Sequence, residues 1–328
     1  MRLLKGSKTL VCSVFQTFSC RQSDGHPVAC PDPRDRMQRL QGYCIQGGDV
    51  ISSIFMRVLS MSQVALPPVR PVDPETIATH LFHVKQTAPL VHCMTNDVVQ
   101  EITANVLLSI GASPAMVVAQ EEAGHFAAIA SALLINVGTP RSDLLNAMHL
   151  AIKSAVRHNV PWVLDPVAAG VIPWRDKMIQ GLLALHPTAI RGNASEIRAL
   201  AGVGKGGKGV DSTDASDTAL EAAVSLALDY DTIVCVTGET DYATDGKEIL
   251  SYTGGSVKAT TVVGTGCSLS AMVAAFIAKT EHPLEAVISA CALAKRAADQ
   301  AEGVARGPGS FAVAYIDALN LIQAKDFY

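Results

Sequence analysis

From Val72 onward the chain alternates short apolar runs with longer amphipathic ones, and this rhythm constrains the fold more than any other feature. The runs "PLVHCMT" (89–95), "PAMVV" (114–118), "LLINVG" (133–138), "PWVLDPV" (161–167), "TAIRG" (188–192) and "TIVCVTG" (232–238) read as strands. Segments such as 142–159 and 217–230 carry helical periodicity between them. Strands that are apolar throughout and separated by helices predict a parallel sheet covered on both faces, a three-layer α/β/α domain. After Gly238, "ETDYATDGKEILSYTGG" places Thr244-Asp245-Gly246 between two short runs, which predicts a small antiparallel hairpin at the edge of the sheet. The end of the chain, from Cys267 to about Lys325, reads as mostly helical.

Residues 1–60 do not share this rhythm. They carry eight Lys/Arg against four Asp/Glu in a chain whose net charge is −4, so the remainder is distinctly acidic. Lys5, Lys8 and Gln16 interrupt the opening apolar run and no small-residue cleavage site follows, so a signal peptide is not expected. Asp24, Asp32, Asp35 and Asp49 argue against a transit peptide. The expectation is a disordered extension or a start assigned too far upstream, with Met61 or Met56 the working start. Residues 61–328 then form a single domain.

At 49% hydrophobic residues the chain has ample core-forming material, and its acidic balance disfavours nucleic acid and anionic membrane as partners. No apolar run reaches the roughly 18 residues needed to span a bilayer. The eight cysteines include no CxxC pair, so zinc and disulfide frameworks are weak readings, and Cys93, Cys235 and Cys291 are expected as buried thiols. His80, His83 and His92 lack a suitably spaced third metal ligand, and His92 and Met94 are expected in the core. "GVGKGGKGV" (202–210) approaches a phosphate-loop pattern, but Gly209 stands where its Ser/Thr belongs and no strand precedes it.

In open parallel sheets ligands bind beyond the carboxyl ends of the strands. The residues there are Thr95-Asn96-Asp97, Asp165-Pro166, Arg191-Gly192-Asn193 with Glu196, Thr237-Gly238-Glu239, and Gly264-Thr265-Gly266-Cys267. The acids suit Mg²⁺, held directly or through water; Arg191 suits phosphate oxygens; and a glycine turn opening a helix offers N–H groups to a phosphoryl group. Singly each has a plainer reading: Asp165 as a turn residue before proline, Asn193 or Ser195 as a helix cap. Gathered at one sheet end, they point to a phosphate-handling site.

The segments "PLVHCMTNDVVQEITANVLLSIGASPAM", "ALLINVGT", "WVLDPVAAG", "AIRGNASEIRALAG", "VTGETDYATDG", "VVGTGCSLSA" and "GPGSFAVAYIDAL" resemble, in order, the hydroxyethylthiazole kinase family of the ribokinase-like superfamily. The resemblance covers roughly residues 75 to 325 and leaves out 1–60. It implies a ribokinase-like kinase domain that phosphorylates the primary alcohol of 5-(2-hydroxyethyl)-4-methylthiazole with Mg²⁺ and ATP in thiamin salvage. It also implies a cytoplasmic homotrimer with sites between subunits. Carried over motif by motif, Met116, Gly266 and Asn96 would face the thiazole, Arg191 and Thr237 would contact ATP, and Glu196 with Asp165 would organise Mg²⁺. Gly264, Thr265, Gly266 and Cys267 would form the catalytic turn. Most ribokinase-like relatives have Asp where Cys267 stands, assigned as base toward the substrate hydroxyl. A thiol ordinarily titrates near 8.5, and a helix N-terminus lowers that value, while an incoming phosphate opposes the thiolate. The alternatives are a kinase for another vitamin-precursor alcohol, of the hydroxymethylpyrimidine or pyridoxine type, or an ATP/ADP-dependent nicotinamide-hydrate dehydratase on the same fold. The dehydratase is expected to carry an acid at position 267.

Overall fold

The structure is a computed structural model that describes residues 66–202 and 219–328. The expectations for residues 1–60 and for the glycine-rich stretch after Gly202 lie outside the described residues.

Among the described residues nine strands form one sheet: β1 (Val69–Pro71), β2 (Leu90–Met94), β3 (Ser113–Ala115), β4 (Ala132–Asn136), β5 (Trp162–Asp165), β6 (Ala189–Asn193), β7 (Ile233–Thr237), β8 (Thr240–Thr244) and β9 (Ile249–Thr253). Their order is β1-β9-β8-β7-β6-β5-β4-β2-β3. Only the β7–β8 and β8–β9 pairings are antiparallel.

Ten α-helices are described: α1 (Pro74–Thr87), α2 (Gln100–Ser109), α3 (Gln120–Ile129), α4 (Ser142–Arg157), α5 (Pro173–Leu183), α6 (Ala194–Leu200), α7 (Leu220–Tyr230), α8 (Thr265–Ile277), α9 (Pro283–Val304) and α10 (Pro308–Leu321). Successive residues of a strand face opposite sides of the sheet. In β4, Ala132 and Leu134 accordingly join the core under α1, α2 and α8–α10, whereas Leu133 and Ile135 join the core under α3–α7. Two apolar cores, one on each face, are why every central strand reads as continuously hydrophobic.

Three expectations need correction. The run 114–118 is not a five-residue strand: β3 ends at Ala115 because the backbone then turns so that Val117 O accepts a hydrogen bond from His92 Nε2 at 2.6 Å. The β8–β9 hairpin is not the sheet edge, since β1 adds in parallel to β9 with Val69 opposite Ile249. Gly264-Thr265-Gly266-Cys267, expected beyond a strand end, does not follow a strand: a 3₁₀ turn (Val257–Thr261) precedes it and Val263 is largely exposed. Cys93, Cys235, Cys291, His92 and Met94 are buried as expected. Among the described residues no helix is long and apolar enough to cross a membrane.

Candidate active site

The parallel strands β2, β4, β5, β6 and β7 all finish at one end of the sheet, and their last residues are polar. In-register pairing sets Asn136 of β4 beside Asp165 of β5, and Asn193 of β6 beside Thr237 of β7. From this register a buried chain of hydrogen bonds arises. Asn96 Nδ2 donates to Asn136 Oδ1 at 2.9 Å and approaches Cys267 Sγ at 3.5 Å. Asn136 Nδ2 donates to Asp165 Oδ2 at 2.6 Å, and Ser270 Oγ donates to the same oxygen at 2.8 Å. Asn136 Oδ1 also accepts from Gly138 N at 3.0 Å, which fixes the amide with its nitrogen toward the carboxyl. A side chain at position 138 would begin 2.7 Å from Asn96 Nδ2, so only glycine fits there.

Cys267 stands in the first turn of α8. The N-cap residue of that helix, Gly264, has φ +92°, and among the described residues no side chain caps that end. The first α-helical bond runs from Ser268 N to Gly264 O at 2.8 Å. The amides of Thr265, Gly266 and Cys267 therefore have no acceptor within the helix, and with the helix dipole they favour an anion. The Thr265 hydroxyl is used otherwise: it donates to Ala259 O at 2.9 Å and ties the turn to the preceding 3₁₀ segment.

The same turn meets both sides of the sheet end. A methyl group at Gly264 would lie 2.5 Å from Ile102 and 3.1 Å from Val99, next to the Asn96 loop; one at Gly266 would lie 3.1 Å from Arg191 Nη1. Gly266, expected against the thiazole, is thus placed beside the guanidinium. Met116 follows β3, next to β2, and is half-buried against the core. Arg191 Nη2 donates to Thr237 Oγ1 at 2.6 Å, while its Nε is buried without a hydrogen-bond partner among the described residues. Glu196 Oε1 accepts from Ala168 N and Oε2 from Asn193 N, both at 2.9 Å. Asn193 in turn caps α6 through Glu196 N, so the capping reading of Asn193 holds and Glu196 completes a capping box.

Burial pushes the Asp165 carboxyl up to about 7, against the pull of Arg191 and with the push of Glu196. Burial also raises the Cys267 thiol, to about 11, and the nearby Asp165 adds to it. Of the opposing influences expected on this thiol, burial and the neighbouring carboxyl favour the neutral form. For Asp165 the sign is clear. The folded form binds its proton more tightly than the unfolded chain, so its contribution to stability is complete below about pH 4 and is lost as pH rises toward 7. Thermal melts of ligand-free protein from pH 5 to 8 should show this decline, and Asp165→Asn should flatten it; an unchanged slope would contradict the assignment.

Sequence reasoning singled out neither Asn136 nor Ser270. The signal for Asn136 was present, a polar residue closing an apolar strand, whereas Ser270 shows only as a small residue one turn along α8.

A model of the hydroxyethylthiazole kinase family matches residues 81–325. The hydroxyethylthiazole kinase of Escherichia coli O6:K15:H31 is 56% identical over 242 residues, 74% of this chain and 92% of that protein. The chain belongs to the hydroxyethylthiazole kinase family. The solved structure of the hydroxyethylthiazole kinase protein from Pyrococcus horikoshii OT3 is similar with a TM-score of 0.70 at 36% identity, covering 76% of this chain and 94% of that one. A ribokinase-like superfamily protein from Enterococcus faecalis, 12% identical with a TM-score of 0.56 and covering 76% and 95%, shares the fold. The hydroxyethylthiazole kinase match spans every residue of the polar chain, the α8 turn and the Arg191–Thr237 pair.

Proposed function

We propose that the protein transfers the γ-phosphoryl group of ATP to the primary alcohol of 5-(2-hydroxyethyl)-4-methylthiazole, as in thiamin salvage. The observation that carries this reading is the uncapped start of α8, set between the Asn96 side of the sheet end and Arg191. In this arrangement Asn96 and Met116 flank the alcohol, Arg191 and Thr237 hold the nucleotide phosphates, and the amides of residues 265–267 receive charge that develops on the phosphoryl group.

Asp165 and Glu196 supply oxygen donors of the kind Mg²⁺ prefers, and the charge of Glu196 adds to the rise of the Asp165 carboxyl, a penalty that a cation held there would offset. Bound there, Mg²⁺ would neutralise phosphate charge. Cys267, a neutral thiol at physiological pH, orients the hydroxyl. In a loose transition state that proton leaves late, once the oxygen has begun to bond phosphorus, so a strong base is not required.

Incubating purified protein with Mg·ATP and the thiazole alcohol, and following product phosphate, tests the reading; turnover of a pyrimidine alcohol in its place would overturn it. Cys267→Asp should keep substantial activity and Cys267→Ala should lose more, about tenfold in kcat. Trapping of a phosphocysteine together with an inactive Asp variant would replace this account by covalent catalysis. A cytoplasmic homotrimer completes the proposal. The trimeric part is supported by the exposure of Val98 (67%) and Val263 (66%) beside the site, and light scattering that gave a monomer would remove it.

A further inference from the structure

Lys295, on α9, is 9% exposed and lies on the β7–β9 side of the sheet end. Its Nζ donates to Gly238 O at 2.8 Å, Glu239 O at 3.0 Å and Gly254 O at 3.0 Å, and lies 3.3 Å from Asp241 Oδ1. Asp241 Oδ1 in turn accepts from Gly238 N at 2.9 Å. One helical turn further on, Asp299 Oδ1 accepts from Gly255 N at 2.8 Å. Gly254 and Gly255 both have positive φ, and methyl groups on them would meet Asp299 and Lys295 at 3.2 Å, so this double-glycine turn lies flat against α9.

The two segments held by the ammonium are not arbitrary. The first, Gly238-Glu239, directly follows Thr237, whose hydroxyl accepts from Arg191. The second, Gly254-Gly255, begins the run that passes through the 3₁₀ turn to Gly264 and the start of α8. A compact cation with three donors is suited to holding several carbonyls at one point. The ion pair with Asp241 alone gives no reason for its three carbonyl contacts.

We propose that Lys295 is the positioning residue of the nucleotide side: it sets the Thr237–Glu239 turn and the lead-in to the phosphoryl turn in one relative placement, with Asp299 as its assistant. The inference rests on the assignment of Thr237 and Arg191 to ATP. It acts through these backbone turns and not on the alcohol, so its loss should be felt by one substrate.

Lys295→Met, assayed with each substrate varied in turn, should raise the KM for ATP about tenfold and lower kcat, with the KM for the thiazole alcohol changed by less than about twofold. An equal rise in both KM values, or an unchanged ATP KM in a folded variant, overturns it. Should Lys295→Met fail to fold, Asp299→Ala is the test, since it removes the acceptor of the Gly255 N–H. It should raise only the ATP KM, by about threefold, and no change there also overturns the proposal. Thr237→Val is measured alongside. If its ATP KM is unchanged, the nucleotide-side assignment falls and this inference with it; if Thr237→Val responds and the Lys295 variant does not, only this inference falls.

Discussion

Gly264→Ala is expected to lower kcat about 100- to 1,000-fold in a protein that remains folded. The added methyl group would begin 2.5 Å from Ile102 Cγ2, a separation that real Cβ atoms do not adopt, and φ of +92° is itself unfavourable for alanine. Something must move, and α8 beyond the turn is buried on all sides, so the movable part is the turn itself. Displacing it tilts the amides of residues 265–267 away from the phosphoryl group, and misaligned donors lose most of their value in the transition state. Steady-state kinetics at saturating substrates, with a thermal melt, checks the prediction. The double variant Gly264→Ala/Ile102→Ala removes the clash but not the φ strain, and should regain part of the loss. A single variant within about threefold of the native kcat would show that the turn does not carry the catalysis.

Arg191→Met is expected to reduce kcat/KM for ATP about 1,000-fold, with a smaller effect on the KM for the alcohol. The guanidinium does three things at once: it donates to Thr237 Oγ1, approaches Gly266, and its charge lowers the Asp165 carboxyl. Methionine keeps much of the volume and none of these. Without the cation, Asp165 rises above its value of about 7 and is protonated at neutral pH, so the Mg²⁺ requirement should increase as well. Because one partner of a buried charge group is removed, the melting temperature should also fall. Arg191→Lys keeps a charge but not the planar fork, and should recover only part of the activity. Titrating Mg²⁺ at two pH values separates the electrostatic loss from the lost phosphate contact: an unchanged Mg²⁺ requirement would leave Arg191 as a phosphate ligand only.

Much of this site was legible in the chain because the strand-end rule is topological. Once the alternation announces a parallel sheet, the residue after each apolar run must lie at the ligand-bearing end, and Asn96, Asp165, Arg191 and Thr237 follow. What escaped depends on relations between segments. Asn136 matters because its register sets it beside Asp165, Ser270 because α8 passes under β5, and Lys295 because α9 crosses the β8–β9 hairpin. The state of the Cys267 thiol stayed open for the same reason. A helix start is local and visible in "GTGC", whereas the desolvation that overrides it comes from neighbours far away in sequence. Strand β1 was missed because three exposed residues carry no periodic signal.

Every residue of α8 from Ser268 to Ile277 is buried, ten in succession and mostly small. The turn at residues 265–267 is thus the end of a helix held on every side by its core, and that helix opens only when the core does. In the proposed reaction the turn would therefore be placed by the packing of the buried side chains further along α8, before any substrate arrives.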